Sequence, residues 1–341
     1  MHKAAKTKIG IIGAGAWGTA LATVAHSAGC DVVIQAHESE VVEAINQQHE
    51  NTVFLPGVKL NPAIRATNDA GEAAQVDAVL LVTPAQHLRT VTATLKDSWQ
   101  AGVPAVICAK GMEQETSALM SEVLAETLPG VTPAVLSGPT FAIEVAKGLP
   151  TGVTIACADH AVATMLSETL GTPTFRAYHS PDIIGAQLGG AVKNVLAIAC
   201  GIVEGKGLGE NARATLITRG LAEIARLGAA KGAHAESLMG LSGIGDLTLT
   251  CNAMQSRNFS LGVALGQGRP LKEILAERRA VTEGVYTASS VTDLAGRLGA
   301  DMPICLAIDG VLNHFAEIDT TIKGLLARPT GEEDPLARSH S

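Results

Sequence analysis

Aromatic residues are scarce in this chain: five Phe, two Tyr and two Trp make up 3% of 341 residues. A β-sandwich built on aromatic corners is therefore disfavoured. Packing must come from Ala, Val, Ile and Leu among 36 glycines, as in close-packed α/β layers and helices. C-x-x-C pairs are missing. Cys30, Cys108, Cys157, Cys200, Cys251 and Cys305 are scattered, with no His partner at zinc spacing. They read as buried thiols in a reducing compartment, and no metal site is expected. Excess positive charge is missing too. A net charge of −8 and a pI near 5.7 disfavour broad nucleic-acid or anionic-membrane binding. Any phosphate-bearing ligand must then be held by a few placed cations. There is no basic-then-apolar leader, no uninterrupted apolar span of membrane length, and no internal repeat. The expectation is a soluble, cytoplasmic protein without membrane insertion.

What is present begins with Lys8 to Leu21, K-I-G-I-I-G-A-G-A-W-G-T-A-L. Ile9, Ile11 and Ile12 form a short apolar strand, and Thr19 to Ala28 continues as a helix of small residues. Between them Gly13, Gly15 and Gly18 spell G-x-G-x-x-G. The first glycine permits a tight turn, the second lets backbone approach a pyrophosphate, and the third lets helix lie on strand. The unpaired N–H groups at the helix start, with the positive dipole end, favour an anion there. Strand, turn and helix in that order make this a dinucleotide-binding signature.

Short apolar runs then alternate with helical stretches up to about residue 178. Strands are expected at 31–36, 63–67, 78–83, 105–109, 134–137, 151–156 and 174–177, and helices at 39–49, 86–95 and 116–128. This predicts an α/β architecture with a doubly wound parallel sheet over residues 1–180. After Ser180-Pro181-Asp182 the alternation stops. Residues 183–203 and 212–227 read as long helices, giving an all-α second domain over 181–330 and a frayed tail over 331–341.

Ligands of such sheets bind beyond the carboxyl ends of the strands. Thr83-Pro84, Lys110-Gly111 and Ser137-Gly138-Pro139-Thr140 stand there, and the Lys110 ammonium is expected at that edge. The second strand ends Gln35-Ala36-His37, with Glu38 just beyond, so no acid stands where a ribose 2′-hydroxyl of NAD would be held. A 2′-phosphate meets no repulsion there and His37 can donate to it. NADP(H) is therefore the preferred cofactor, with NAD(H) the alternative. Lys193 lies in an otherwise apolar helix that also carries Gly189 and Gly190, so something must approach that helix closely. Leu241-Ser242-Gly243-Ile244-Gly245-Asp246 places a carboxylate in a glycine-rich break. Ser256-Arg257-Asn258 offers a hydroxyl, a guanidinium and an amide, a set suited to phosphate. Glu283-Gly284 reads as an ordinary turn, and His26, His49 and His314 have no ligand-like spacing.

Seven ordered blocks resemble the bacterial glycerol-3-phosphate dehydrogenase family, members of which use NAD(P)+. They are G-A-G-A-W-G-T-A-L (13–21), A-K-G-M-E (109–113), L-S-G-P-T-F-A-I-E-V-A (136–146), G-A-V-K-N-V-L-A-I-A-C-G (190–201), G-L-S-G-I-G-D-L-T-L-T-C (240–251), S-R-N (256–258) and V-T-E-G-V-Y-T (281–287). The resemblance implies a 6-phosphogluconate-dehydrogenase-like helical second domain and reversible reduction of dihydroxyacetone phosphate to sn-glycerol 3-phosphate, for phospholipid synthesis. It implies Lys193 as the acid/base, with Lys110, Gly138, Thr140, Asp246, Ser256, Arg257 and Asn258 around the substrate. Gly13, Gly15, Ala16, Trp17, Gly18, His37, Lys110, Ala142, Arg257, Val281 and Glu283 match cofactor positions, and a homodimer is implied. Family members often carry Trp-x-Arg or a similar pair where this chain has Ala36-His37. A dehydrogenase of the same architecture acting on a β-hydroxy or sugar acid would share the glycine turn and a helical lysine. The S-R-N and L-S-G-I-G-D blocks argue against it. A non-catalytic NADPH sensor would have lost its chemistry, yet Lys110, Lys193 and Asp246 are all present.

Overall fold

Runs of Val, Ile, Leu and Ala that are buried on both faces build the strands of the first half. Their near-continuous apolar character suits parallel strands covered by helices. The computed structural model of the protein describes residues 6–278 and 282–330. These divide into two compact units. One holds the chain up to Ala109 together with Met120–Ile183, and the other holds Lys110–Leu119 and the chain from Ile184 onward.

The first unit is an eight-stranded sheet of β1 (Lys8–Ile12), β2 (Asp31–Gln35), β3 (Arg65–Thr67), β4 (Ala78–Leu81), β5 (Ala105–Ile107), β6 (Pro133–Ser137), β7 (Thr151–Ala156) and β8 (Phe175–Ser180). Its order is β3-β2-β1-β4-β5-β6-β7-β8. The first six strands pair in parallel and keep the Rossmann order, so the chain reverses its direction of travel between β1 and β4. Helices α1 (Ala16–Ser27), α2 (Ser39–Glu43), α3 (Ala70–Ala73), α4 (Leu88–Thr94), α5 (Met120–Thr127), α6 (Ala142–Ala146) and α7 (His160–Leu170) lie between them. The expected helix over 39–49 is α2 followed by a wider π turn at Ala44–Gln48, closed by His49 in left-handed conformation.

The sheet is not parallel throughout. β7 runs antiparallel to β6, and β8 follows β7 in parallel. Here the link after β6 turns sharply at Gly138 (φ 151°) and spends α6 against α1, so the chain re-enters beside β6 from the same edge. A Cβ at Gly138 would press to 3.0 Å of the Gly152 carbonyl oxygen and the Val153 Cα.

The second unit is helical: α8 (Ile183–Gly205), α9 (Glu210–Lys231), α10 (Ala235–Leu238), α11 (Asp246–Cys251), α12 (Arg257–Gly266), α13 (Leu271–Ala276), α14 (Glu283–Leu298), α15 (Pro303–Asn313) and α16 (Ile318–Leu326). Among the described residues no strand follows Ser180. α8 is long and apolar enough to cross a membrane by length and composition, but 89% of its apolar window is buried, as in a core helix. Glycines explain how its neighbours come so close. Side chains at Gly201 and Gly205 of α8 would strike the α12 backbone at Phe259 and Val263. Side chains at Gly262 and Gly266 of α12 would strike α8 at Ile198 and Ile202. The two helices therefore meet backbone to backbone over two turns. The six cysteines are free and buried, as expected.

Candidate active site

In the first unit the candidate site is made of backbone. Gly13 sits at φ 109°, a conformation L side chains rarely adopt, and a Cβ there would come to 3.0 Å of the Val82 carbonyl. A side chain at Gly18 would collide with the Gly13 carbonyl oxygen, so this glycine lets α1 close on the turn. Gly15 is different. Its φ of −64° is ordinary, and a Cβ there would meet nothing within 4 Å. The fold has no need of a glycine at that position, so the open space suits a ligand pressed against backbone. Gly15 is also the N-cap of α1 and offers no side-chain cap. The first N–H groups of α1 are thus left for an anion. The Trp17 indole N–H beside them is buried and has no acceptor among the described residues. A dinucleotide diphosphate fits this donor set. His37 follows β2, and Glu38, the next residue, is the N-cap of α2. Ala142 opens α6, and Thr140 donates to the Gly138 carbonyl at 3.2 Å.

In the second unit the candidate site is made of side chains. Lys193, 6% exposed near the middle of α8, donates from Nζ to Asp246 Oδ1 at 2.5 Å and to Thr250 Oγ1 at 2.8 Å. Lys110 Nζ donates to the other carboxylate oxygen of Asp246 at 2.7 Å. Thr250 donates in turn to the Asp246 main-chain carbonyl at 2.6 Å, so its hydroxyl faces the lysine as an acceptor only. Asp246 is fully buried and stands in the first turn of α11, directly after a π turn at Leu241–Gly245. That turn comes so close to α8 that a side chain at Gly189 would strike the Ser242 carbonyl. This accounts for one of the two glycines flanking the lysine and brings the carboxylate against it.

Burial is the main force on the Lys193 ammonium, lowering its pKa from the usual 10.5 to about 8. Asp246 pulls upward and Lys110 pushes further down. Two ammonium groups against one carboxylate leave the cluster with a charge of about +1 at neutral pH, within a chain of net charge −8. That is a local sink for a developing alkoxide. Lys110 follows the carboxyl end of β5, and the segment Lys110–Leu119 groups with the helical unit. Asn194 Nδ2 donates to the Lys110 carbonyl at 3.0 Å, and Ser290 Oγ donates to the Glu113 carbonyl at 3.2 Å.

The three residues of S-R-N divide their work, since successive helical side chains point about 100° apart. Ser256 caps α12 by accepting from the Phe259 N–H at 3.2 Å. Arg257 is exposed, with Glu283 as the acid within electrostatic reach. Asn258 is buried, and its amide donates to Asn194 Oδ1 at 2.9 Å. Glu283-Gly284 is not a turn; it opens α14, and a Cβ at Gly284 would crowd Asn258, Asn194 and Ile198. The glycine marks a close helix approach. Val281 lies outside the described residues. Lys193, Lys110 and Asp246 thus meet in one cluster, to which Asn194 ties Asn258. Gly138, Thr140 and Ala142 belong to the first unit. Thr250 was not anticipated. The available signal for Thr250 was its i+4 spacing from Asp246 on one helix face.

The model of the NAD-dependent glycerol-3-phosphate dehydrogenase N-terminus matches residues 8–163, and that of the C-terminus matches residues 182–323. The chain belongs to this family. A relative named glycerol-3-phosphate dehydrogenase (NAD(P)+) from Rhodospirillum rubrum is 60% identical over 322 residues, 94% of this chain and 92% of that one. A protein of the same name from Parvibaculum lavamentivorans is 56% identical over 96% of this chain and 98% of its own. The crystal structure of glycerol-3-phosphate dehydrogenase from Coxiella burnetii is similar at a TM-score of 0.91 and 38% identity, covering 95% of this chain and 99% of that one. The glycine turn and the lysine cluster are therefore read below as parts of a dehydrogenase.

Proposed function

We propose that the protein reversibly reduces dihydroxyacetone phosphate to sn-glycerol 3-phosphate with NAD(P)H. The single observation that carries the catalytic assignment is the buried Lys193 ammonium, hydrogen-bonded to Asp246 and Thr250. Bound NAD(P)H supplies hydride to C2 of the ketone. As the C2 oxygen becomes an alkoxide, the Lys193 ammonium stabilises its charge and gives it a proton. In the reverse direction the neutral amine removes that proton. A pKa of about 8 puts both protonation states within reach near neutrality. Thr250 and Asp246 aim the amine, and Lys110 adds the second positive charge. Gly138, Thr140, Ser256, Arg257 and Asn258 hold the substrate, with Arg257 as the exposed cation suited to its phosphate.

Gly13, Gly15, Ala16, Trp17, Gly18 and Ala142 of the first unit hold the dinucleotide, together with Lys110, Arg257, Val281 and Glu283. His37, with no acid at the end of β2 itself, favours NADP(H) over NAD(H). The protein is read as cytoplasmic, as a homodimer, and as a source of glycerol 3-phosphate for phospholipid synthesis. Following oxidation of NADPH and NADH at 340 nm (about 10³ s⁻¹ being the upper end of ordinary turnover) with dihydroxyacetone phosphate tests the reaction and the cofactor together. Turnover with this ketone is expected, and its absence with both cofactors would overturn the assignment. A tenfold or greater preference for NADH would overturn the role given to His37.

A further inference from the structure

Asn51 is fully buried, 36 residues beyond Gly15 in sequence, and its side-chain amide closes on the glycine turn. Nδ2 donates to the Ala14 carbonyl oxygen at 2.7 Å and to Thr19 Oγ1 at 2.8 Å. Both amide hydrogens are thereby used. Oδ1 accepts from the Phe54 N–H at 3.0 Å, which fixes the amide plane. The loop that carries Asn51 is itself closed. Leu60 N–H donates to the His49 carbonyl at 2.8 Å, Leu55 N–H to the Asn51 carbonyl at 3.0 Å, and Lys59 pairs with Glu50 at 2.7 Å. Leu55, Val58 and Leu60 anchor it in the core of the first unit.

We infer that Asn51 is a positioning residue for the dinucleotide, holding the Ala14–Gly15 peptide so that the Gly15 N–H faces the diphosphate. In a trans peptide the carbonyl and the following N–H point in opposite directions. Tying the Ala14 carbonyl inward to Asn51 therefore turns the Gly15 N–H outward. No acceptor among the described residues takes that N–H, and the space over Gly15 is open. Thr19, one turn into α1 and fully buried, receives the second hydrogen of the same amide. Turn and helix start are thus locked to one planar group. The loop Phe54-Leu55-Pro56-Gly57 gains a role as the brace that holds Asn51.

The inference rests on the dinucleotide reading of the glycine turn. Its test is Asn51→Asp, a near-isosteric change that keeps the acceptor for Phe54 N–H. The change removes both donors and sets a carboxylate oxygen against the Ala14 carbonyl. Equilibrium titration of the folded variant with NADPH and NADH, without substrate, is expected to give a Kd at least tenfold above wild type. In steady state the cofactor KM is expected to rise by a similar factor while kcat at saturating cofactor falls less than threefold. Thr19→Val, which frees one amide hydrogen, is expected to raise Kd two- to fivefold, and it decides the matter if Asn51→Asp does not fold. A folded variant whose Kd stays within twofold of wild type overturns the inference, even if its melting temperature drops. Wild-type protein that binds neither cofactor would overturn the dinucleotide reading and the inference together.

Discussion

The glycine turn of the first unit and the lysine cluster of the second are built from opposite materials. The turn is backbone and empty space: three glycines, an uncapped helix start and a conformation at Gly13 that other residues avoid. Its three glycines come from one stretch of six residues. The cluster is side chains from three places in the chain, Lys110 and Asp246 being 136 residues apart, gathered around a carboxylate with no exposure. A backbone site can be built locally because its requirements are steric. A charged site in a low-dielectric interior has to be assembled from distant elements, since each buried charge needs a partner. In the proposed reading, the diphosphate of the cofactor and the reacting carbonyl are thus held by different physics.

The largest effect that would sharpen this contrast is expected from Lys193→Ala. It should lower kcat by 10² to 10⁴, the range for losing a general acid, while the NADPH dissociation constant stays within threefold. A variant retaining over half of wild-type kcat would break the comparison. Asp246→Asn comes next. It leaves two ammonium groups without their counter-charge, and removing one partner of a buried pair costs about 3 kcal/mol or more. The check is chemical denaturation at pH 7, where loss of less than about 1 kcal/mol would mean that the cluster is effectively solvated. The two glycines of the turn then separate fold from function. Gly18→Ala is expected to lower the melting temperature because its Cβ meets the Gly13 carbonyl. Gly15→Ala should leave melting unchanged and weaken NADPH binding about tenfold, roughly 1.4 kcal/mol. The reverse pattern would assign the glycines wrongly. The smallest effect is expected from Arg257→Ala, a rise in KM for dihydroxyacetone phosphate of about tenfold, as for loss of one exposed charge-assisted contact. An unchanged KM would count against its contact with phosphate.

Much of the first unit was legible in sequence because its signals are local. Glycine spacing, apolar runs and a Pro or Gly soon after several of the strands read directly as strand, turn and helix. Strand direction is not local, so the reversal at β7 could not be read; it depends on where the link after Gly138 packs. The same holds for Lys110–Leu119, which follows β5 directly yet folds with the helices. In the second unit the buried lysine stood out because a charge in an apolar helix is costly, and Gly189 announced a close neighbour. The identity of that neighbour, the carbonyl of Ser242, was not legible. Thr250 was missed because a threonine in T-L-T-C looks like any helical residue until the lysine is placed against it. Glu283-Gly284 misled because glycine is more often a turn signal than a point of helix contact. Asn51 gave no signal at all, since its partners are a main-chain carbonyl and a hydroxyl.

In the proposed mechanism Lys193, its pKa lowered to about 8 chiefly by burial, exchanges the proton at the C2 oxygen. The most direct test is the pH dependence of kcat/KM in both directions, in wild type and in Lys110→Met. Oxidation of glycerol 3-phosphate needs the neutral amine and should rise as pH passes through about 8, whereas reduction needs the ammonium and should fall there. Since Lys110 pushes the Lys193 pKa down, Lys110→Met should move both inflections to higher pH. Profiles that are flat between about pH 7 and 9, or inflections that stay in place when Lys110 is removed, would contradict the account.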